Sequence, residues 1–133
     1  MTSIIDKLAW VYVKDKKILV TRTKGKDAWF IPGGKRIEGE TDKQALIREV
    51  KEELNLDLIT SSIRYYNTFQ AQAYGKPEGG LVRLTCYTAD FNDIPIPHNE
   101  IAAFDYFDFA QKPRTTPASF LIFDDLKQKG LLD

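Results

Sequence analysis

The sequence has little of two residue types that often define a protein's chemistry. It contains one cysteine, Cys86, and one histidine, His98. A single cysteine excludes an intramolecular disulfide, and one cysteine with one histidine cannot supply the ligands of a structural zinc site. Because such cysteine usage is typical of proteins kept in a reducing compartment, we expect a cytoplasmic protein.

Long hydrophobic runs and a net charge are also lacking. No stretch approaches the ~20 apolar residues that a membrane-spanning helix requires, and Asp6 and Lys7 interrupt the apolar residues where a signal peptide would have its hydrophobic region. The 19 basic residues equal the 19 acidic ones, whereas general binders of nucleic acid or anionic membranes carry a positive excess. We therefore expect neither a membrane nor a polymeric nucleic acid as partner.

The charge that is present is unevenly distributed. The net charge is +6 over residues 1–36, −4 over residues 37–57 and −2 over residues 58–133. The 133 residues, of which 43% are hydrophobic, suffice for one core, and no repeat or long linker divides them. We expect a single domain over residues 1–133.

Apolar runs and turn residues predict a mixture of strands and helices. A helix over residues 42–54 should begin after Thr41, which with Gln44 makes a capping box, and should end at Asn55. A second helix is predicted at Ala118–Lys129. Ile63–Ala73 and Leu81–Phe91 should form a hairpin around the turn Tyr74–Gly80. Further strands are predicted at Leu8–Val13, Lys17–Arg22, Trp29–Ile31 and Asp105–Phe109.

The first helix carries an acidic face beside its apolar stripe. At helical spacing Glu49, Glu52 and Glu53 lie together, and like charges three and four residues apart repel each other. One interpretation is a solvated face steadied by the Arg48–Glu52 pair. The other is a site for a hard divalent cation, since Mg²⁺ is held by carboxylates together with substrate phosphates.

The segment before the helix favours the cation. Gly33 and Gly34 leave the backbone free to approach a ligand, and Glu40 adds a fourth carboxylate. An acidic helix cannot bind phosphate by its own charge, and the P-loop pattern is absent. A phosphate ligand would therefore need a metal ion as a bridge.

The residues from Gly34 to Leu56 resemble the signature of a known family. They match eight of the nine defined positions of the Nudix box, G-x5-E-x7-R-E-U-x-E-E-x-G-U with U a bulky aliphatic residue, and depart from it at Asn55 in place of glycine. Asparagine also adopts the left-handed cap conformation, so we expect the geometry to be kept. The preceding WFIPGG segment, the hairpin after the box and the closing helix extend the resemblance over the whole chain.

The resemblance implies a fold, a reaction and a cofactor. The fold would be α/β (α+β), an α/β/α sandwich with a mixed β-sheet between helices. The reaction would be attack of water at phosphorus in a nucleoside diphosphate linked to another moiety, with Mg²⁺ as cofactor and Mn²⁺ as the alternative. By similarity Arg48 orients the carboxylates, and Glu49 completes the metal site or acts as the base. The implied metal ligands are the Gly33 carbonyl, Glu49, Glu52, Glu53 and Glu40.

Further residues are candidates for catalysis and substrate binding. Glu100 is the candidate for an additional acidic ligand or base, with Asp90 and Asp93 as weaker alternatives. Arg22 and Lys35, together with Gly34, would meet substrate phosphates. Thr116 and Ser119 would contact the base; relatives selective for oxidised guanine often have asparagine near Ser119, and its absence argues against that specificity.

The leading hypothesis is a nucleoside-triphosphate pyrophosphohydrolase that releases a monophosphate and pyrophosphate. A nucleotide sugar, ADP-ribose or a dinucleoside polyphosphate is the alternative substrate. From another class, the chain could be a non-catalytic nucleotide sensor, but such domains typically lose the box carboxylates that are all present here. The sequence leaves open whether the protein is a monomer or a homodimer.

Overall fold

A computed structural model describes residues 3–75 and 80–133. Residues 76–79 of the predicted Tyr74–Gly80 turn lie outside the described residues. The strands are β1 (Ser3–Trp10), β2 (Val13–Lys14), β3 (Lys17–Thr23), β4 (Trp29–Phe30), β5 (Gly33–Gly34), β6 (Asp57–Leu58), β7 (Arg64–Gln72), β8 (Gly80–Thr88), β9 (Phe91–Asn92) and β10 (Ile101–Phe107). The α-helices are α1 (Asp42–Leu54) and α2 (Pro117–Gln128), and short 3₁₀ helices cover Thr60–Ser62 and Phe109–Arg114.

The strands form two four-stranded arrangements and a small pair. One sheet has the order β5-β1-β8-β7, in which β1 and β8 are parallel and the other neighbours are antiparallel. The other has the order β10-β3-β2, with β4 also paired to β3, and is antiparallel throughout. The predicted mixture of strand directions is therefore confirmed.

The two helices cover opposite sides of these sheets, because successive strand residues point to opposite faces. Leu8, Trp10 and Leu19 are buried with the apolar stripe of α1. Ala9 and Ile18, which are sequence neighbours of these residues, point to the opposite faces of their strands and are buried with α2. This arrangement is the predicted α/β/α sandwich. Neither helix of the described residues is long and apolar enough to cross a membrane.

Helix α1 has the predicted bounds and caps. Thr41 Oγ1 accepts a hydrogen bond from Gln44 N, and the Gln44 side chain accepts one from Thr41 N. At the other end Asn55 has φ 55°, in the left-handed region. The substitution of asparagine for the glycine of the box is therefore accommodated by the cap geometry.

Three strand predictions are corrected. The predicted strand Leu81–Phe91 is interrupted, because β8 ends at Thr88 and Phe91 begins β9, which pairs with β6.

The run Leu8–Val13 is not one strand: β1 ends at Trp10 and pairs in parallel with β8, while Val13 begins β2 and pairs with Ile18 of β3. Local alternation does not specify that the chain passes from one sheet to the other within this run. The strand predicted at Asp105–Phe109 is instead Ile101–Phe107, since Asp108 caps a 3₁₀ helix that begins at Phe109.

Candidate active site

Two glycines bring the backbone of β5 against β1 and against helix α1. Gly33 has φ +148°, and a Cβ added there would lie 2.0 Å from the Leu8 carbonyl oxygen. A Cβ on Gly34 would lie 2.5 Å from the carboxyl carbon of Glu49. A larger residue at Gly33 would push β5 away from β1, and a larger residue at Gly34 would push the Glu49 side chain away from β5.

Glu53 is the buried carboxylate of the site. Its side chain projects from α1 toward β5, where its Oε2 accepts a hydrogen bond from Gly33 N at 3.3 Å. The residue is 6% exposed and makes no ion pair with any described residue. Burial, and to a smaller extent the charge of Glu49, raise the pKa of Glu53 well above its ordinary value.

Arg48 holds the remaining carboxylates of the acidic face. Its Nε and Nη2 donate to the two oxygens of Glu40 at 2.8 and 2.9 Å, and its Nη1 donates to Glu49 Oε1 at 2.9 Å. Nη1 also lies 3.3 Å from Glu52 Oε2, and Nη2 donates to the Lys35 carbonyl at 2.9 Å. One guanidinium thus orients three carboxylates and the end of the glycine segment.

The surroundings of the carboxylates shift their pKa values in different directions. The hydrogen bonds from Arg48 and from Ile37 N lower the pKa of Glu40 to about 2. Burial raises the pKa of Glu49, although Arg48 opposes that change. Glu40 is therefore held as an anion beside Arg48, whereas the ionised forms of Glu49 and Glu53 are disfavoured by burial.

These groups border a cleft of about 410 Å³ between the sheets, α1 and the start of α2. The cleft brings together seven of the residues that the sequence singled out: Gly33, Lys35, Glu49, Glu53, Glu100, Thr116 and Ser119. Thr116 and Ser119 are buried at the first turn of α2, and their hydroxyl oxygens lie 3.0 Å apart.

Other predicted residues lie behind or beside the cleft. Gly34, Glu40 and Arg48 support Glu49 from behind and do not line the cleft. The Glu52 side chain is half-exposed on the outer side of α1.

Arg22 lies on the opposite face of β3 from the cleft. Thr21 and Thr23, its neighbours in the strand, line the cleft, so alternation directs Arg22 away from it. Its guanidinium donates to the Lys26 carbonyl at 3.2 Å and lies 5.7 Å from the centre of the Trp29 ring. Arg22 thus packs against Trp29, on the face of β3 that also carries Ile18 and Val20.

Sequence analysis missed several residues that line the cleft. Lys7, Lys26, Phe30 and Gln72 are among them. The sequence did contain one sign of them, namely Lys7, a charged residue in a mostly apolar strand. That this lysine lines the cleft can be inferred only when the neighbouring strands are known.

The donor set suits a hard divalent cation. Glu49, Glu53 and Glu100 line one cleft and offer oxygen atoms, and the charges of Glu49 and Glu100 both raise the pKa of Glu53. A divalent cation relieves such repulsion. Within residues 3–75 and 80–133 no group of three acidic, histidine or cysteine residues is already positioned to hold a metal ion. Substrate phosphates and water would have to complete the coordination, as is usual for Mg²⁺.

The resemblance noted in the sequence is borne out by comparison with known proteins. Residues 7–125 match the family model of the NUDIX domain. The chain belongs to the NUDIX family. The match includes the glycine segment, α1 and the strand that follows Glu100.

Individual relatives agree with this membership. The mRNA-decapping enzyme subunit 2 of Saccharomyces cerevisiae is 33% identical over 99 residues, which are 74% of this NUDIX chain and 10% of that protein. The chain thus spans about a tenth of the length of the curated relatives it matches.

Solved structures resemble the chain over most of its length. The solution structure of the E. coli ORF135 protein has a TM-score of 0.73 and 24% identity, and the alignment covers 95% of this chain and 92% of that one. The E. coli dihydroneopterin triphosphate pyrophosphohydrolase has a TM-score of 0.69 and 21% identity, with 96% and 97% covered. The fold is therefore that of the NUDIX family.

Proposed function

We propose that this NUDIX chain is a Mg²⁺-dependent pyrophosphohydrolase that cleaves a nucleoside triphosphate into a monophosphate and pyrophosphate. The observation that carries the proposal is the buried carboxylate of Glu53. It faces the cleft beside Glu49 and Glu100 without an ion-pair partner among the described residues. A buried carboxylate is costly unless a cation compensates it.

The residues proposed to hold the metal are those of the acidic face and the glycine segment. Glu53 and the Gly33 carbonyl would be the ligands inside the cleft, and Glu52 and Glu40 would reach the ion from outside its lining. Glu49 would complete the metal site if Glu100 is the base. When bound there, Mg²⁺ would neutralise substrate phosphates and lower the pKa of a bound water.

The other roles in the reaction, orientation of a carboxylate and removal of a proton from water, fall to side chains of the protein. Arg48 positions Glu49 through the hydrogen bond that it donates to Oε1. Glu49 is the proposed general base, because burial raises its pKa and makes the carboxylate a better proton acceptor than an exposed one. Glu100 is the second candidate for that role, since its side chain lines the same cleft.

The size and walls of the cleft support a single small nucleotide as substrate. Its volume of about 410 Å³ lies toward the small end of the range for small-molecule sites, about 300–1,000 Å³. Lys35 provides a cation for phosphate, and Phe30, Thr116 and Ser119 provide apolar and hydroxyl groups for the organic part.

The test is a substrate panel assayed with Mg²⁺. Nucleoside triphosphates, nucleotide sugars, ADP-ribose and dinucleoside polyphosphates are incubated with the protein, and the released products are identified by chromatography. We expect monophosphate and pyrophosphate from at least one triphosphate, and no release when Mg²⁺ is chelated. Turnover of a nucleotide sugar alone would replace the triphosphate as substrate. Nucleotide binding without turnover under any divalent ion would support the sensor instead.

A further inference from the structure

Lys7 lies in an unusual place for a lysine. It is half-buried on β1, and on the same face of that strand Ile5 and Ala9 pack with the apolar core that contacts α2. Its neighbour in β8 is Leu84, which is also buried in that core. The lysine nevertheless lines the cleft, together with Lys26 and Lys35.

The register of β1 and β5 brings Lys7 close to another lysine. Leu8 pairs with Gly34 in antiparallel register, so the next positions along the two chains are Lys7 and Lys35. Both residues line the cleft, which places their side chains on one face. Like charges at opposite positions of neighbouring strands destabilise the pair.

The next pair of positions shows that the backbone pairing of these two segments does not require like charges to face each other. One residue further along, Asp6 meets Arg36, and the two form a salt bridge of 3.1 Å. A direct ion pair is therefore present on the outer face, whereas Lys7 and Lys35 on the face that lines the cleft form none with a described residue.

Lys7 has no built-in anionic partner. It makes no ion pair or side-chain hydrogen bond with a described residue, although Glu53 and Glu49 are near enough to raise its pKa. Burial and the charge of Lys35 outweigh them, and the pKa of Lys7 is lowered. Lys35 is exposed, but a partly buried lysine such as Lys7 is costly unless negative charge compensates it, and a ligand in the cleft could bring that charge.

We infer that Lys7, with Lys35, binds a phosphate group of the substrate directly, at a second anion site beside the carboxylates. The inference rests on the proposed function, because the phosphate ligand comes from it. The carboxylates would hold one part of the phosphate chain through the cation, and the two lysines would hold the neighbouring phosphate by charge-assisted hydrogen bonds. A competing role for Lys7 is to neutralise Glu53 without touching the ligand.

The test uses inorganic pyrophosphate as the probe. Its binding to the full chain is measured by calorimetry with Mg²⁺ present, for the wild type, Lys7→Met, Lys7→Arg and Lys17→Met. Met keeps the length of the side chain without its charge, and Lys17 is an exposed strand lysine that does not line the cleft. We expect Lys7→Met to weaken binding by about tenfold or more, the scale of a lost hydrogen bond to a charged group. Lys7→Arg should recover part of the affinity, and Lys17→Met should match the wild type.

A second measurement separates the two roles of Lys7. Mn²⁺ binding without phosphate is followed by the relaxation of water protons. If Lys7 contacts phosphate, Lys7→Met keeps or improves Mn²⁺ affinity while it loses pyrophosphate. Unchanged pyrophosphate affinity in folded Lys7→Met overturns the inference, and a change confined to Mn²⁺ assigns the neutralising role. Failure of the wild type to bind pyrophosphate or turn over any substrate would contradict the proposed function itself.

Discussion

Two arginines hold carboxylates near the start of α1, and their surroundings differ: Arg36 lies in the segment that joins β5 to α1, and Arg48 lies within α1. Arg36 donates to Asp42 at 2.6 Å and to Asp6 at 3.1 Å, and Tyr87 Oη donates to the other oxygen of Asp42 at 2.7 Å. Every carboxylate of this group, the Arg36 cluster, is bonded to the arginine. The cluster links β1, β8 and the start of α1, and none of its members lines the cleft.

The group around Arg48 carries a larger excess of negative charge. Arg36 contacts two carboxylates, whereas Arg48 contacts the three of Glu40, Glu49 and Glu52. In addition, the neighbouring carboxylate of Glu53 is buried and has no ion-pair partner among the described residues. A buried carboxylate without such a partner is costly for stability. The excess of buried negative charge on the cleft side indicates that this second group, the Arg48 cluster, is arranged for a ligand.

Among the variants that test this difference between the two clusters, Glu53→Gln should have the largest effect. We expect activity to fall by more than about a hundredfold, the scale of losing one charge-stabilising group at a reacting centre. Gln keeps an oxygen that can accept the hydrogen bond from Gly33 N and removes a buried charge, so the thermal midpoint without metal at neutral pH should rise. Initial rates and thermal unfolding measure the two effects.

Glu38→Gln is the matched control for that variant, since Glu38 is an exposed glutamate of the segment that precedes α1. It should leave both rate and midpoint unchanged. Full turnover by Glu53→Gln would show that the buried carboxylate is not part of the metal site, and a large drop in its midpoint would assign Glu53 to stability.

Arg48→Lys tests the orienting role directly. A lysine can contact one carboxylate but cannot reproduce the paired bonds to Glu40 and the further bond to Glu49. We expect kcat to fall by about 10- to 100-fold, as for residues that orient metal ligands. In the Arg36 cluster the same change, Arg36→Lys, should cost up to about 1 kcal/mol of unfolding free energy and leave kcat unchanged. Equal losses of kcat in the two variants would remove the distinction between the clusters.

Gly34→Ala displaces one carboxylate of the Arg48 cluster without changing any charge. The added methyl would meet the Glu49 carboxyl group at 2.5 Å, so the side chain must shift away from its present position. We expect about a tenfold loss of kcat, because small displacements of a reacting group are costly. Gly39→Ala is the control: it has open space around it but φ +88°, so it should reduce stability alone. Steady-state kinetics of the two variants measure the difference.

The part of the molecule that the sequence predicts best is the segment around α1. Its bounds follow from local signals, the Thr41 cap, the apolar spacing and Asn55, all of which act within the helix itself. The grouping of Glu49 and Glu53 follows from helical periodicity, which tertiary contacts do not alter.

The rest depends on strand register, which local sequence does not contain. Arg22, the residue predicted at the phosphates, packs against Trp29 on the face of β3 away from the cleft, whereas Lys7, which the sequence analysis did not name, lines it. A shift of one residue in a strand reverses every side chain, so the face is settled only by the neighbouring strands. The parallel pairing of β1 with β8, 70 or more residues apart, is such a contact.

The smallest expected effect belongs to the Arg36 cluster and comes from Tyr87→Phe. The substitution removes the hydroxyl that donates to Asp42 and keeps the ring, which packs edge-on against Tyr65 with centroids 5.9 Å apart. Asp42 retains its bond to Arg36, so the loss should be about 1 kcal/mol of unfolding free energy, the net value of one hydrogen bond. Urea unfolding measures that loss, and kcat should stay at the wild-type value. A fall in kcat without a change in stability would mean that the Arg36 cluster also acts on the cleft, and that unmatched charge is not what separates the two clusters.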